Sequence, residues 1–85
     1  MGVLEGRVAI VTGGARGVGR GISHALAREG ASVVIAEINT ETGPATEKEL
    51  REIGAKALWV ECDVAQRNQV EAVVEAAVRE FGGVD

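Results

Sequence analysis

Cysteine, excess basic charge and long apolar runs are all scarce in this sequence of 85 residues, and each shortage excludes a class of protein. Cys62 is the single cysteine, so the chain can form no internal disulfide and no metal site built from paired thiols. Nine Lys and Arg against 13 Asp and Glu argue against nucleic acid or an acidic membrane as the partner. No apolar run approaches the roughly 20 residues of a membrane span. The composition is typical of one small globular domain.

The amino-terminal segment resembles neither an export signal nor a lipidation signal. Residues 1–7 have no basic start followed by an apolar core, and Gly6 stands where a myristoylation signal requires Ser or Thr. Together with the single cysteine, this segment favours a cytoplasmic protein.

The hydrophobic pattern alternates between the period of a strand and the period of a helix. Strands are predicted at 8–11, 32–36 and 57–60, and helices at 17–29, 44–53 and 66–81. Such alternation predicts an α/β fold with a parallel sheet, because each crossover between parallel strands needs a helix. Right-handed crossovers then give the order 3-2-1, with the first two helices on one face and the third on the other. This βαβαβα arrangement is a partial Rossmann fold, the first half of a doubly wound sheet.

Each predicted helix has an apolar stripe that should face the sheet. The stripes comprise Val18, Ile22, Ala25 and Leu26 in the first helix, Ala45, Leu50 and Ile53 in the second, and Val70, Val73, Val74, Ala77, Val78 and Phe81 in the third. Pro44 is the expected first residue of the second helix, where its missing N–H costs nothing. The third helix has the most complete stripe.

The sequence ends at residues 82–85, where a fourth strand is expected to begin. We therefore expect the first strand to present a free edge, which could pair with a second copy of the chain and form a homo-oligomer.

A glycine-rich segment, from Thr12 to Gly19, joins the first strand to the first helix. Gly13, Gly17 and Gly19 permit a tight turn and a close approach by a ligand, and the helix start offers unpaired N–H groups and a positive dipole end. The combination is typical of a binding site for the phosphates of a dinucleotide. A flexible turn without function is the alternative, but it does not account for the strand before the segment and the helix after it.

The motif Thr-Gly-x-x-x-Gly-x-Gly resembles the signature of the short-chain dehydrogenase/reductase family, and the likeness extends over essentially all 85 residues. The resemblance implies that residues 1–85 are the amino-terminal half of an NAD(P)-binding Rossmann domain. It also implies an oxidoreductase that acts on a carbonyl or an alcohol. The cofactor-binding residues implied in this segment are Thr12, Gly13, Arg16, Gly17, Val18 and Gly19.

Glu37 and Arg16 bear on the choice between NAD and NADP. Glu37 follows the second strand, eighteen positions after Gly19, near the spacing at which an acid accepts a hydrogen bond from the adenosine ribose. A carboxylate there repels a 2′-phosphate and favours NAD. In the family, a basic residue in the place of Arg16 often accompanies NADP. We expect NAD, with NADP second, and a solvated surface position is the alternative for Glu37.

Asp63 and Val64, after the third strand, resemble the Asp-Val element of the same family, whose Asp accepts a hydrogen bond from the adenine amino group. An ordinary helix cap shortly before Gln66 is the alternative role for Asp63. Neighbouring Cys62 and Trp59 are expected to pack in the interior.

The family's catalytic Tyr, Lys and Ser have no counterpart in this sequence, which contains no tyrosine. Lys48 and Lys56 flank the second helix, and Ser23 and Ser32 lie on elements expected to pack away from a substrate. No catalytic residue is predicted. Three hypotheses remain: the cofactor-binding half of an NAD-dependent oxidoreductase, a stand-alone nucleotide-binding module, or an inactive remnant or half-fold.

Overall fold

A computed structural model describes residues 4–13 and 17–85 of the chain. The elements are β1 (Val8–Thr12), α1 (Gly17–Arg28), β2 (Ser32–Glu37), α2 (Thr42–Glu52), β3 (Ala57–Glu61) and α3 (Arg67–Phe81). The strands are parallel and lie in the order β1-β2-β3, which confirms the predicted order 3-2-1 and the α/β Rossmann-like fold.

The central strand β2 separates two layers of core. On one face, Val33 and Ile35 belong to a cluster that includes residues of α1 and α2; on the other, Val34 and Ala36 belong to a cluster that includes residues of α3. All four of these side chains are at most 2% exposed. The predicted placement of two helices on one face and the third on the other is therefore confirmed.

The second helix begins two residues before the predicted start at Pro44. The Oδ1 atom of Asn39 accepts hydrogen bonds from the backbone N–H groups of Glu41 (2.8 Å) and Thr42 (2.9 Å), which stabilises the turn that leads into α2. Pro44 thus lies within the first turn of the helix, where it still removes no intrahelical hydrogen bond.

The predicted helix stripes are only partly correct. In α1 the buried residues are Ser23 and Ala27, whereas Val18 is 81% exposed and Ile22 is 46% exposed. Ser23 tolerates burial because its hydroxyl donates a hydrogen bond to the Gly19 carbonyl (3.0 Å).

In the other two helices, too, the buried residues differ in part from the predicted apolar stripe. The buried residues are Gly43, Thr46 and Leu50 in α2, and Val73, Ala76 and Ala77 in α3. The exposed members of the predicted stripes include Ala45, Ile53, Val70, Val74 and Val78. Small residues form much of each contact with the sheet, and they allow a helix to lie close to it.

Side chains of α2 cover the outer edge of β3. Glu47 Oε2 accepts a hydrogen bond from the backbone N–H of Trp59 (2.6 Å), and Arg51 donates from Nε (3.0 Å) and Nη2 (2.8 Å) to the carbonyl of Ala57. Arg51 Nη2 also lies 3.6 Å from Glu47 Oε2, so the two side chains form an ion pair one turn apart on the helix. These contacts occupy backbone groups with which another strand could otherwise pair.

The edge of β1 carries contacts from Asp85. The backbone N–H of Asp85 donates to the Val8 carbonyl (2.9 Å), and the Val8 N–H donates to Asp85 Oδ2 (2.8 Å). The expectation of a free β1 edge is therefore wrong at its Val8 end.

Among the helices in the described part of the chain, none has the length and apolarity needed to cross a membrane.

An ion-pair network joins α1 to α2. Arg20 donates to both carboxylate oxygens of Glu49, at 2.9 and 2.6 Å, and His24 Nε2 lies 3.0 Å from Glu49 Oε1. The hydrogen bonds from Arg20, and secondarily from His24, hold the pKa of Glu49 below its usual range.

Candidate functional site

The predicted site residues lie at the carboxyl ends of the three strands. Thr12 and Glu37 are the last residues of β1 and β2, and Asp63 comes two positions after the end of β3. The strands are in register there, with Thr12 opposite Ala36 and Glu37 opposite Glu61. In parallel α/β sheets this edge is where ligands bind.

A cavity of about 130 Å³ opens at this edge. Its lining comprises Gly13, Ala36, Glu37, Ile38, Cys62, Asp63 and Val64. Four of these seven residues were predicted from the sequence, and they come from the carboxyl ends of all three strands or from the turns that follow them. The other three, Ala36, Ile38 and Cys62, are each sequence neighbours of a predicted residue, which is the signal that could have identified them.

Gly13 begins the turn after β1 in a conformation that favours glycine. Its φ is +64°, in the left-handed region, and its N–H donates to the Ala36 carbonyl at 2.8 Å, which ties the turn to β2. A Cβ at this position would find no atom of the described chain within 4 Å. The described part of the chain therefore leaves space beside the Gly13 backbone.

The first turn of α1 carries three further predicted residues. Gly17 begins the helix with a φ of +51°, Val18 is 81% exposed, and Gly19 is half-buried. The turn contains no acidic residue, so no carboxylate of its own competes with an anion for the N–H groups. Thr12 is exposed at the end of β1, and Arg16 lies outside the described residues.

Glu37 is 5% exposed, so the alternative of a solvated surface residue is wrong. Its Oε2 atom accepts a hydrogen bond from the Asn39 N–H (3.1 Å). Its carbonyl accepts one from Trp59 Nε1 (3.0 Å) and a longer one from the Cys62 N–H (3.3 Å). The structure thus holds a buried acceptor in the cavity wall.

Asp63 stabilises the turn between β3 and α3. Its Oδ1 accepts from the Ala65 N–H (3.0 Å), its carbonyl accepts from the Gln66 N–H (2.9 Å), and its own N–H donates to Gln69 Oε1 (2.7 Å). The N-cap of α3 is Gln66, so Asp63 lies outside the helix and is not its capping residue. Val64, beside it, is 57% exposed.

Cys62 is 3% exposed and packs in the core beneath the cavity, as expected. Burial, and secondarily the charge of Asp63, raises the pKa of the Cys62 thiol. The thiol therefore stays protonated and unreactive at neutral pH. The described residues contain no cluster of His, Cys, Asp and Glu suited to a metal ion.

Ser23, Ser32 and Lys56 lie away from this cavity. The hydroxyl of Ser23 is buried beneath α1. Ser32 and Lys56 line a cavity of about 580 Å³ at the opposite end of the sheet, between the carboxyl ends of α1 and α2. The arrangement at the carboxyl edge offers hydrogen-bond acceptors from two acids beside the start of a helix whose first turn contains no acidic residue, which suits binding.

Comparisons with known proteins agree with this geometry. The family model described as short chain dehydrogenase matches residues 7–85. An uncharacterized oxidoreductase of Thermotoga maritima is 47% identical over 83 residues, covering 98% of this chain and 32% of its own length. A 2,5-dichloro-2,5-cyclohexadiene-1,4-diol dehydrogenase of Sphingobium indicum is 41% identical over 85 residues, covering 100% of this chain and 33% of its own.

Solved structures show the same fold. A 7α-hydroxysteroid dehydrogenase, complexed with NADH and 7-oxo glycochenodeoxycholic acid, superposes with a TM-score of 0.93 at 33% identity, over 96% of this chain and 32% of that one. A citronellol catabolism dehydrogenase of Pseudomonas aeruginosa superposes with a TM-score of 0.91 at 35% identity, over 98% of this chain and 35% of that one. The chain spans about a third of the length of these relatives. With a family match over residues 7–85 and this architecture, the chain belongs to the short-chain dehydrogenase family.

Proposed function

We propose that this chain binds a nicotinamide dinucleotide and is the cofactor-binding half of an oxidoreductase that acts on a carbonyl or an alcohol. The observation that carries the proposal is the cavity at the carboxyl edge, in which Gly13, Glu37 and Asp63 meet at the carboxyl ends of the three strands. The 7α-hydroxysteroid dehydrogenase of the same fold, complexed with NADH, supports the choice of ligand class.

Each element of the site has a separate role in this proposal. The N–H groups at the start of α1, beside Gly17 and Gly19, would hold the diphosphate. Glu37 would accept a hydrogen bond from a hydroxyl of the adenosine ribose, and Asp63 would accept one from the adenine amino group. Thr12, Val18 and Val64 are exposed beside these groups and would contact the nucleotide.

The charges in the cavity wall favour NAD over NADP. The carboxylate of Glu37 is buried, and that of Asp63 lies on the same lining, so a 2′-phosphate would be brought against two acids. Like charges in a partly desolvated site repel more strongly than at an open surface. The free 2′-hydroxyl of NAD is attracted to this position instead, because it can donate a hydrogen bond to the Glu37 carboxylate.

Binding, and not proton transfer, is the task we assign to these residues. The dinucleotide supplies hydride transfer when bound, whereas the chain contains no tyrosine, and Ser23 and Lys56 lie away from the cavity. We also propose a cytoplasmic location, for which the single cysteine is the support. Self-association through the β1 edge stays a prediction.

Isothermal titration with NAD and NADP tests the proposal. NAD should bind more tightly than NADP, and Glu37→Gln should reduce the ratio of the two affinities by about tenfold or more, because it removes a charged acceptor and the repulsion of the 2′-phosphate. Glu61→Gln is the matched control: Glu61 lies opposite Glu37 in the register and is exposed. No binding of either dinucleotide would refute the proposal, and equal affinities for both would refute the preference for NAD.

A further inference from the structure

The indole of Trp59 connects the nucleotide cavity to the beginning of α2. Trp59 lies in the middle of β3, and its Nε1–H donates to the Glu37 carbonyl at 3.0 Å. Its backbone N–H donates to Glu47 Oε2 at 2.6 Å, so the residue is fixed at its main chain as well as at its ring. Trp59 does not line the cavity; it contacts a residue that does.

Gly43, in the first turn of α2, leaves the space that the indole occupies. A Cβ built on Gly43 would overlap the Nε1, Cδ1 and Cε2 atoms of Trp59. Gly43 does not have a positive φ, so its backbone conformation is open to other residues. The absence of a side chain at position 43 is thus explained by the ring, which lies directly against the helix backbone.

The contact with Trp59 fixes the main chain of the residue that we assign to the ribose. The Glu37 carbonyl accepts from the Trp59 indole at 3.0 Å and from the Cys62 N–H at 3.3 Å, so the indole makes the shorter bond. The Glu37 carboxylate is held by the Asn39 N–H. With both ends of Glu37 held, the direction of the carboxylate is set before a ligand arrives, which lowers the entropy lost on binding.

We propose that Trp59 is a positioning residue for recognition of the adenosine ribose, acting through Glu37. The inference rests on the proposed function, because it takes Glu37 as the acceptor for the 2′-hydroxyl. Core packing alone calls for a large apolar side chain at position 59. The indole N–H, donated toward the cavity wall, is the feature that packing leaves unexplained.

Trp59→Phe removes the N–H and keeps an aromatic ring on the strand. We expect the affinity of the 85-residue chain for NAD, measured by isothermal titration, to fall roughly three- to tenfold, the range of one neutral hydrogen bond. Affinity for the NAD analogue that lacks the adenosine 2′-hydroxyl should change less than twofold, since that analogue makes no such contact with Glu37. A loss of structure alone would lower both affinities together.

Two further variants keep the test valid if Trp59→Phe disturbs folding. Benzothienylalanine at position 59 replaces the N–H by sulfur and retains the shape of the ring, so it should give the same selective loss. Phe81→Leu alters a half-buried aromatic residue on the opposite face of the sheet and should leave the ratio of the two affinities unchanged.

Gly43→Ala provides an independent route to the same contact. The added methyl group should displace the indole and reduce the preference for NAD over the 2′-deoxy analogue. In a Trp59→Ala background the same substitution should have little additional effect, because the ring atoms with which it collides are gone.

The possible failures are distinguishable. If the wild-type chain binds NAD no better than the 2′-deoxy analogue, the assignment of Glu37 is wrong, and the role of Trp59 is wrong with it. If the wild type shows the preference and both position-59 variants retain it, the role of Trp59 alone is refuted.

Discussion

The Gly13→Ala substitution distinguishes the effect of Gly13 on folding stability from its effect on nucleotide binding. Gly13 has a φ of +64°, and a Cβ there would meet no described atom within 4 Å. The substitution therefore introduces backbone strain without a clash against any residue that the structure describes. A nucleotide in the cavity would, by contrast, lie against the new methyl group.

The expected loss of stability follows from the backbone alone. A non-glycine residue in the left-handed region costs about 1–2 kcal/mol. A domain of 85 residues at 0.05–0.15 kcal/mol per residue has about 4–13 kcal/mol of unfolding free energy, so most molecules of the variant remain folded. Loss of NAD affinity should be at least about tenfold, or about 1.4 kcal/mol, because the diphosphate can no longer approach the backbone.

Gly54→Ala is the control for strain. Gly54 follows α2 with a φ of +90°, a Cβ there also meets nothing within 4 Å, and the residue lies away from the carboxyl-edge cavity. Urea unfolding followed by circular dichroism should show similar destabilisation for both variants, and titration with NAD should show a loss for Gly13→Ala only. Equal NAD affinities in the two variants would refute the assignment of the glycine-rich turn to the diphosphate.

Two predictions concern stability. Leu50 is fully buried, so Leu50→Ala should lower the unfolding free energy in urea by about 2–5 kcal/mol, whereas Ile53→Ala, at a side chain 53% exposed, should change it by about 0.5 kcal/mol or less. Hydrogen bonds from Arg20 lower the pKa of Glu49 in the folded state. The ionised Glu49 therefore contributes its full stabilisation above pH 4.5, the ordinary pKa of a Glu, and this stabilisation is lost as the pH falls through the lowered pKa of the folded state. Glu49→Gln should therefore flatten the decline of the urea midpoint on acidification, and Glu52→Gln, at an exposed position of the same helix, should not; identical pH profiles for wild type and Glu49→Gln would contradict this.

The alternation of apolar periods sufficed for the order of the elements. The strand runs around Val8, Val33 and Leu58 and the helices between them predict the parallel sheet, because a crossover has only one common handedness. The periods did not determine which side of each helix is buried. Val18 and Ile22 are exposed while Ser23 is buried, since the approach of α1 to the sheet selects small residues and a serine whose hydroxyl bonds within the helix.

Part of the candidate site could be predicted because its residues lie at the ends of successive strands. Gly13, Glu37 and Asp63 follow three successive strands, and parallel strands place their carboxyl ends together, so spacing in the sequence indicates proximity in space. The contact between Trp59 and Glu37 spans 22 positions between neighbouring strands. Local pattern carries no signal for the direction of a ring nitrogen, and Trp59 was expected only to pack.

The order of strands, the glycine-rich turn and the acids at the ends of the second and third strands were determined by the sequence itself, because they depend on local periods, glycine conformation and strand spacing. Tertiary structure decided the rest. Burial of Glu37, the space that Gly43 leaves for Trp59, and the contacts of Asp85 with β1 depend on how separate elements lie against each other. Those distances are set by packing among residues far apart in the chain, which no segment specifies alone.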